Sequence, residues 1–414
     1  MDSSHSEAAL ARSLLTPGAV RERAHRMLDL GIAGELPHFS VDPGKLCRCA
    51  DYVLDTIRRN YPTLQVPFHA RWRHFAAGGF DRWGTLDRNT AWPSDAARAR
   101  AAFDLAIVSV LLDAGAGPDW SYLEPASGER FARSEGLAVA SFDMFASGVF
   151  SAKPDDPLRV DASRLQSLDA AEVAAGFQIR ADNPMAGLDG RIALLRRLGA
   201  AVSGNPALFA REDEARPGGL FDSLLLQREN GLLPANAILS TLLEGLGSIW
   251  PGRLALGGVD LGDTWRHPSL VTDDATSGLV PFHKLSQWLA YSLIEPLQAA
   301  GLGVSGVDGL TGLAEYRNGG LFLDLGVITL RDPSEAGLQH EPGSNLVVEW
   351  RALTVALLDD VAGLIRDHLG LSAEQFPLAK ALEGGTWAAG RRIAREKRPG
   401  GPPPLTVVTD GTVF

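Results

Sequence analysis

The chain has 414 residues, 45% of them hydrophobic, with a mean hydropathy near zero and a formal net charge of −11. That length suits two or three domain-sized units, or one large unit with a cap, and the apolar content is that of a packed protein. The acidic balance argues against an extended nucleic-acid surface, which needs excess Lys and Arg, but leaves open a small phosphorylated ligand held in a local cationic pocket.

The first residues, MDSSHSEAALARSLL, carry no basic segment followed by a long apolar one, and no run of about 18 uncharged apolar residues occurs. The expectation is a cytoplasmic protein that makes no use of a membrane. Asp42 and Pro43 open a helix over VDPGKLCRCADYVLDTIRRNYP as N-cap and first-turn proline. Its Cys47 and Cys49 are too few for a disulfide framework or a four-ligand zinc site and read as helix thiols. His69 and His74 are five apart, which misses the i, i+4 spacing of a helical zinc pair, so no metal is expected.

Ser94 caps a second helix over DAARARAAFDLAIVSVLLDAG, which ends at glycine and leads into the aromatic loop GAGPDWSY with Trp120. FQIRA is a weak strand candidate. Further helical patterns follow in GRIALLRRLGAAV, NAILSTLLEGLGSIW, HKLSQWLAYSLIEPLQAAG, the Val347 to His368 stretch and LAKALEGGTWAAGRRIAREKR. LFLDLGVITL and LTVVTDGTVF are the best strand candidates, the latter joined through the extended RPGGPPP segment. The class is therefore mainly α with a minor β component. A cut near residue 205 divides the chain into an N-terminal helical or cap region, 1–205, and a C-terminal helical domain, 206–414, carrying most of the candidate site. Gly301, Gly303 and Gly306 spell G-x-G-x-x-G but follow a helical pattern rather than a strand, so no dinucleotide cofactor is expected.

The segment Val280 to Arg351 sets Lys284, Glu315, Arg317, Asp324, Glu349 and Arg351 in apolar surroundings. Charges taken out of water need partners, so these residues form either a ligand site or a salt-bridge network that joins helices. Lys284, Gln287 and Tyr291 share one helical face and offer an ammonium, an amide and a phenol. Glu315, Tyr316 and Arg317 precede Asn318-Gly319-Gly320, read as a flexible turn where backbone can approach a ligand. Glu349 and Arg351, two apart on an apolar helix, must face different partners; one can answer Arg317 and the other a ligand anion.

RSEGLAVASFDMF, VPFHKLSQWLAYSLIEPL, TGLAEYRNGGLFLDLGV, VVEWRALTVALLDD, LEGGTWAAGR and TDGTVF give the chain, from about Val66 to Phe414, a resemblance to the uracil-catabolism protein 4 family, also called domain of unknown function 1688. That resemblance implies a role in uracil degradation through a ribosylurea-type intermediate, and allows association with other enzymes of that route. DLAIVSVLLDAGAGPDWSY, GLDGRIALLRRLGAAV, FHKLSQWLAYSL, LAEYRNGG and PGSNLVVEWRALTV are in turn similar to pieces of queuosine salvage proteins, which hydrolyse a nucleotide 5′-monophosphate at its N-glycosidic bond. This second resemblance implies a DNA-glycosylase-like helical scaffold, although Glu315 stands where those proteins have aspartate. Together they imply a metal-free N-ribosyl hydrolase, without cofactor, that splits a ribosylurea 5′-phosphate into urea and ribose 5-phosphate. Glu315 is the expected catalytic carboxylate and Asp324 its alternative. Lys284 and Arg317 would hold the phosphate; Gln287, Tyr316, Glu349 and Arg351 would line the substrate; and Trp120 would wall the sugar. A ring-opening or deaminating enzyme of the same route and a non-catalytic scaffold are the alternatives.

Overall fold

In a computed structural model, which describes residues 3–210, 214–250 and 254–408, the chain is mainly helical. Its strands occur only as short pairs among the described residues. Contacts gather these residues into two compact units that interleave along the chain. One is built from Met1–His69, Gly252–Gln287 and Gly306–Val408, the other from Ala70–Pro251 and Trp288–Ser305. Each unit thus closes its core with segments distant in sequence.

In the first unit, the helix Asn345–Leu369 is buried over most of its length. Ser344 caps it by accepting the Val347 N–H at 3.4 Å, and Gly370, at φ 64°, ends it in the left-handed region that glycine enters without penalty. The helices Pro17–Ile32 and Leu46–Asn60 pack against it with Val20, Met27, Val53 and Ile57 buried. Asp42 accepts the Gly44 N–H at 3.1 Å and starts a short 3₁₀ turn, Pro43–Lys45, ahead of the second of these helices. Phe39–Val41 pairs antiparallel with Ile328–Leu330, and Thr264–Arg266 with Leu279–Pro281. Gln339–His340 runs parallel to Thr406–Val407.

In the second unit, Ser94 accepts the Ala97 N–H at 3.1 Å and caps Asp95–Leu111, whose residues from Ala101 to Leu111 are all buried. The helices Arg133–Ala146 and Leu188–Gly204 pack on it. Buried charges here are matched in place: Arg82 grips Glu124 through bonds of 2.6 and 2.8 Å, and Arg71 donates to Asp113 at 2.7 Å and to Ser109 at 2.7 Å.

Three local expectations change. LFLD is the end of a helix, Tyr316–Asp324, and only Ile328–Leu330 of LFLDLGVITL is a strand. FQIRA forms no named strand, only a single bridge between Arg180 and Asn183. Asn318-Gly319-Gly320 is not a flexible turn but lies inside that same helix. A Cβ on Gly319 would stand 2.6 Å from the Trp350 indole nitrogen, so the glycine allows two helices to approach closely rather than backbone to approach a ligand. The TDGTVF motif lies outside the described residues.

Candidate functional site

The local fold of the first unit sets Glu315 at the N-cap of the helix Tyr316–Asp324. Its backbone is extended, and its two carboxylate oxygens accept the N–H groups of Arg317 at 2.8 Å and Asn318 at 2.7 Å. Glutamate is a less usual cap than aspartate or serine, because its extra methylene must fold back to reach those amides. Burial pushes the Glu315 carboxyl above the ordinary glutamate range. The two amides oppose that shift, and so do the nearby charges of Lys284 and, when protonated, His69. Desolvation of the carboxylate thus outweighs the amides and the nearby positive charge, so the group holds its proton to higher pH than an exposed glutamate does.

Lys284 begins the helix Lys284–Ala299. Its backbone N–H donates to Asp263 at 3.0 Å, and Asp263 in turn receives two parallel bonds from Arg351 at 2.9 and 2.7 Å. The Arg351 guanidinium also lies over the Phe282 ring, 4.1 Å from its centroid. His283, immediately before Lys284, is held at φ 49°, unusual for a residue with a Cβ. Its Nε2–H donates to the Leu14 carbonyl at 3.0 Å and burial depresses its pKa, so it is a neutral strut rather than a charge. Gln287 is fully buried and accepts the Thr311 N–H at 3.3 Å.

The remaining candidates have other partners. Arg317 is buried, its Nη1 donates to the Gly401 carbonyl at 2.9 Å, and its guanidinium lies 4.9 Å from the centroid of the partly exposed Tyr316 ring. Gly390 makes this packing possible, since a Cβ there would stand 2.2 Å from the Arg317 carbonyl oxygen. Asp324, at the far end of the Glu315 helix, is clamped by Arg398 through two bonds of 2.6 Å. Glu349 is held by other partners than Arg317: it accepts the His38 N–H at 3.2 Å and lies 3.1 Å from His267 Nε2. The Ser269 N–H donates to His267 Nδ1 at 3.2 Å, so the imidazole proton sits on Nε2 and is given to Glu349. Trp120 belongs to the second unit, where it is buried, donates its indole N–H to the Phe177 carbonyl at 2.9 Å and meets that ring edge-on.

The charged residues of the Val280 to Arg351 segment thus divide. Asp324, Glu349 and Arg351 hold elements together in the manner of a salt-bridge network, whereas Glu315 and Lys284 share a neighbourhood. Two residues not drawn from the sequence join them. His69 Nδ1 lies 2.8 Å from a Glu383 carboxylate oxygen, and a protonated imidazole there favours the ionised form of Glu315. Neither FHARWRHF nor LEGGTWAAGR carries a local signal that chain folding brings residues 69 and 383 together. Among the described residues, no three His, Cys, Asp or Glu side chains converge as a metal site.

The fold and site define a mainly helical protein with a half-buried glutamate at a helix N-terminus near a lysine, and a histidine–glutamate pair in the same unit. The chain belongs to the family described as "Protein of unknown function (DUF1688)", whose model matches residues 13–414, a wider span than the stretch from Val66 that carried the resemblance. It is 39% identical over 411 residues to "Protein urg3" of Schizosaccharomyces pombe, covering 97% of this chain and 98% of that protein. It is 38% identical over 413 residues to "Uracil catabolism protein 4" of Lachancea kluyveri, covering 92% and 93% respectively. No described helix is long and apolar enough to cross a membrane.

Proposed function

We propose that this protein acts in uracil catabolism as a metal-independent N-ribosyl hydrolase, cleaving a ribosylurea-type 5′-phosphate to urea and ribose 5-phosphate. The pathway rests on the name of the Lachancea kluyveri relative. The reaction rests on one observation above all: a carboxylate whose pKa is raised by burial, fixed by two backbone amides and bordered by Lys284 and His69.

Breaking the C1′–N bond builds positive charge at C1′, so a fixed carboxylate beside C1′ stabilises the oxocarbenium-like transition state. A raised pKa makes the same group a better base for the incoming water than an ordinary exposed glutamate. Lys284 supplies a point charge for the 5′-phosphate. Arg317 carries five N–H donors, of which one is committed to Gly401, and it borders the phosphate from the same helix as Glu315. Gln287 and Tyr316 contact the sugar or urea portion. Asp263, Arg351 and Glu349 fix the elements that carry Lys284 and the substrate-lining side chains. On this reading the scaffold is DNA-glycosylase-like, the ligand is a small phosphorylated riboside, and the protein works in the cytoplasm beside other enzymes of the route.

The test is direct. Purified protein is incubated with ribosylurea and with its 5′-phosphate, and urea and ribose phosphate are quantified. Stoichiometric release from the phosphate is expected. A ring-opening or deaminating enzyme would leave preformed ribosylurea phosphate intact, and a scaffold would neither bind nor cleave it.

A further inference from the structure

The second unit contains a cleft of about 260 Å³, lined by the helices Arg82–Asn89 and Asp95–Leu111 and by the C-terminal end of Lys284–Ala299. All of its lining residues belong to that unit. The volume lies just below the roughly 300–1,000 Å³ of pockets for drug-sized ligands, so an occupant must be small.

Its aromatic wall is fixed by the surrounding fold. Pro296, inside the helix, has no N–H to give the Ser292 carbonyl, and the Trp72 indole N–H takes that carbonyl at 2.6 Å instead. Trp83, half-buried, meets Trp72 edge-on with ring centroids 5.4 Å apart. Trp92 packs on Trp83 at 6.2 Å, and its own indole N–H donates to Asp87 at 2.8 Å. Two lining indoles are thus held in place without a ligand.

The charges of the lining do not balance. Asp87 takes Arg98 in a fork of two 2.6 Å bonds, and Glu295 is paired with Arg73. Asp95 is exposed and makes no hydrogen bond or ion pair with a described residue. Three carboxylates against two guanidiniums leave one negative charge. Nor is the Asp95 side chain needed as a helix cap, because Ser94 already accepts the Ala97 N–H at 3.1 Å. Asp95, Ala99 and Ala102 stand at i, i+4 and i+7 on one helix face, so the unpaired carboxylate adjoins two small apolar side chains of the same lining.

We propose that this cleft binds a small organic cation, an ammonium carried on a flat aromatic body, with its charge at Asp95 and its ring against Trp72 and Trp83. The unpaired carboxylate attracts a cation and repels an anion. The indoles add the attraction of their negative faces for the ammonium and edge-on or offset packing for the ring. This site is independent of the hydrolase reading.

Three probes of one shape test it on the whole chain by calorimetric titration: phenethylamine, its neutral isostere phenethyl alcohol, and the anion hydrocinnamate. The amine is expected to bind saturably at one site, about 3- to 10-fold more tightly than the alcohol, with the anion weakest. Asp95→Asn, an exposed substitution that should leave the fold intact, is expected to bring the amine down to the affinity of the alcohol and to leave the alcohol unchanged. Trp83→Leu should weaken amine and alcohol alike. Absence of saturable amine binding at millimolar concentration overturns the assignment, and so does an amine that binds wild type no more tightly than the alcohol. A preference for the amine that survives in Asp95→Asn, or unchanged affinity in Trp83→Leu, would place the ligand outside this cleft and overturn it equally.

Discussion

Glu315 and Asp324 stand at opposite ends of one nine-residue helix, about 13 Å apart along its axis, and are held by different chemistry. Glu315 takes backbone amides, whereas Asp324 takes the Arg398 guanidinium in a fork. Glu315→Gln removes a charge that would face the transition state, so turnover should fall at least about 100-fold while ligand affinity changes far less. Asp324→Asn should instead destabilise the fold by about 1–3 kcal/mol and leave turnover per folded molecule within a few-fold. Steady-state kinetics and denaturant unfolding of both variants check this, and the reverse pattern would move the catalytic role to Asp324.

Lys284→Ala and Arg317→Ala should each weaken a 5′-phosphorylated ligand about 10- to 100-fold, the equivalent of roughly 1.5–3 kcal/mol for a charge-assisted contact. The unphosphorylated analogue should bind each variant nearly as it binds wild type. Calorimetric titration with both ligands gives the comparison. Equal losses for the two would show that neither side chain reads the phosphate.

Much of the helical frame is readable from caps and spacing: Ser94 and Asp42 start elements where they stand in the sequence, and the buried stretch around Val347 is one long helix. What fails is local sequence overridden by packing. Leu321, Phe322 and Leu323 suit a strand, yet Glu315 caps a helix through them and Gly319 lets that helix seat against Trp350. Asn318-Gly319-Gly320 carries turn chemistry that the same cap overrules. In the candidate site, the isolated charges near residues 284 and 315 stand out in an apolar background. Their partners do not, because the links from His69 to Glu383, Asp263 to Arg351 and His267 to Glu349 span 314, 88 and 82 residues. Pairing at such separations is set by topology, which single-chain spacing does not encode.

The proposed hydrolysis needs no Lewis acid: Glu315 activates water and faces the charge that develops at C1′. Exhaustive treatment with a chelator is therefore expected to leave urea release unchanged, with elemental analysis of the active protein as the companion measurement. Activity that disappears and returns with a divalent cation would sink the metal-independent mechanism.

The contact between His25 and Asp359, away from Glu315, is linked to pH. His25 lies 3.2 Å from Asp359, and its hydrogen bond to that carboxylate raises the imidazole pKa above its ordinary 6.5, against an opposing effect of burial. A raised folded-state pKa means that stabilisation is fully present below the unfolded value and is lost as pH rises through the folded one. Stability of wild type relative to His25→Gln should thus be greatest below pH 6.5 and decline above it. Because the His25 side chain is 36% exposed, the whole effect should stay under about 1 kcal/mol. Urea melts of both proteins across that range measure it; a difference that grows with pH would have the wrong sign.

The Asp263–Arg351 fork offers the sharpest separation of support from chemistry. Its side chains are 7% and 1% exposed, so removing either one leaves a buried charge without that partner and should cost about 3–5 kcal/mol. Replacing both, as Asp263→Asn with Arg351→Met, removes both charges, and the double variant should be more stable than the sum of the single losses predicts. Asp263 also accepts the Lys284 backbone N–H, so its loss should loosen the start of the Lys284 helix and weaken phosphate-ligand binding, which Arg351→Met alone affects only through Asp263. A double-mutant cycle read by unfolding, with ligand affinity measured on each corner, resolves the two effects. Additive stability losses would show that the fork contributes no coupling. Unchanged affinity in Asp263→Asn would remove Asp263 from the support of Lys284.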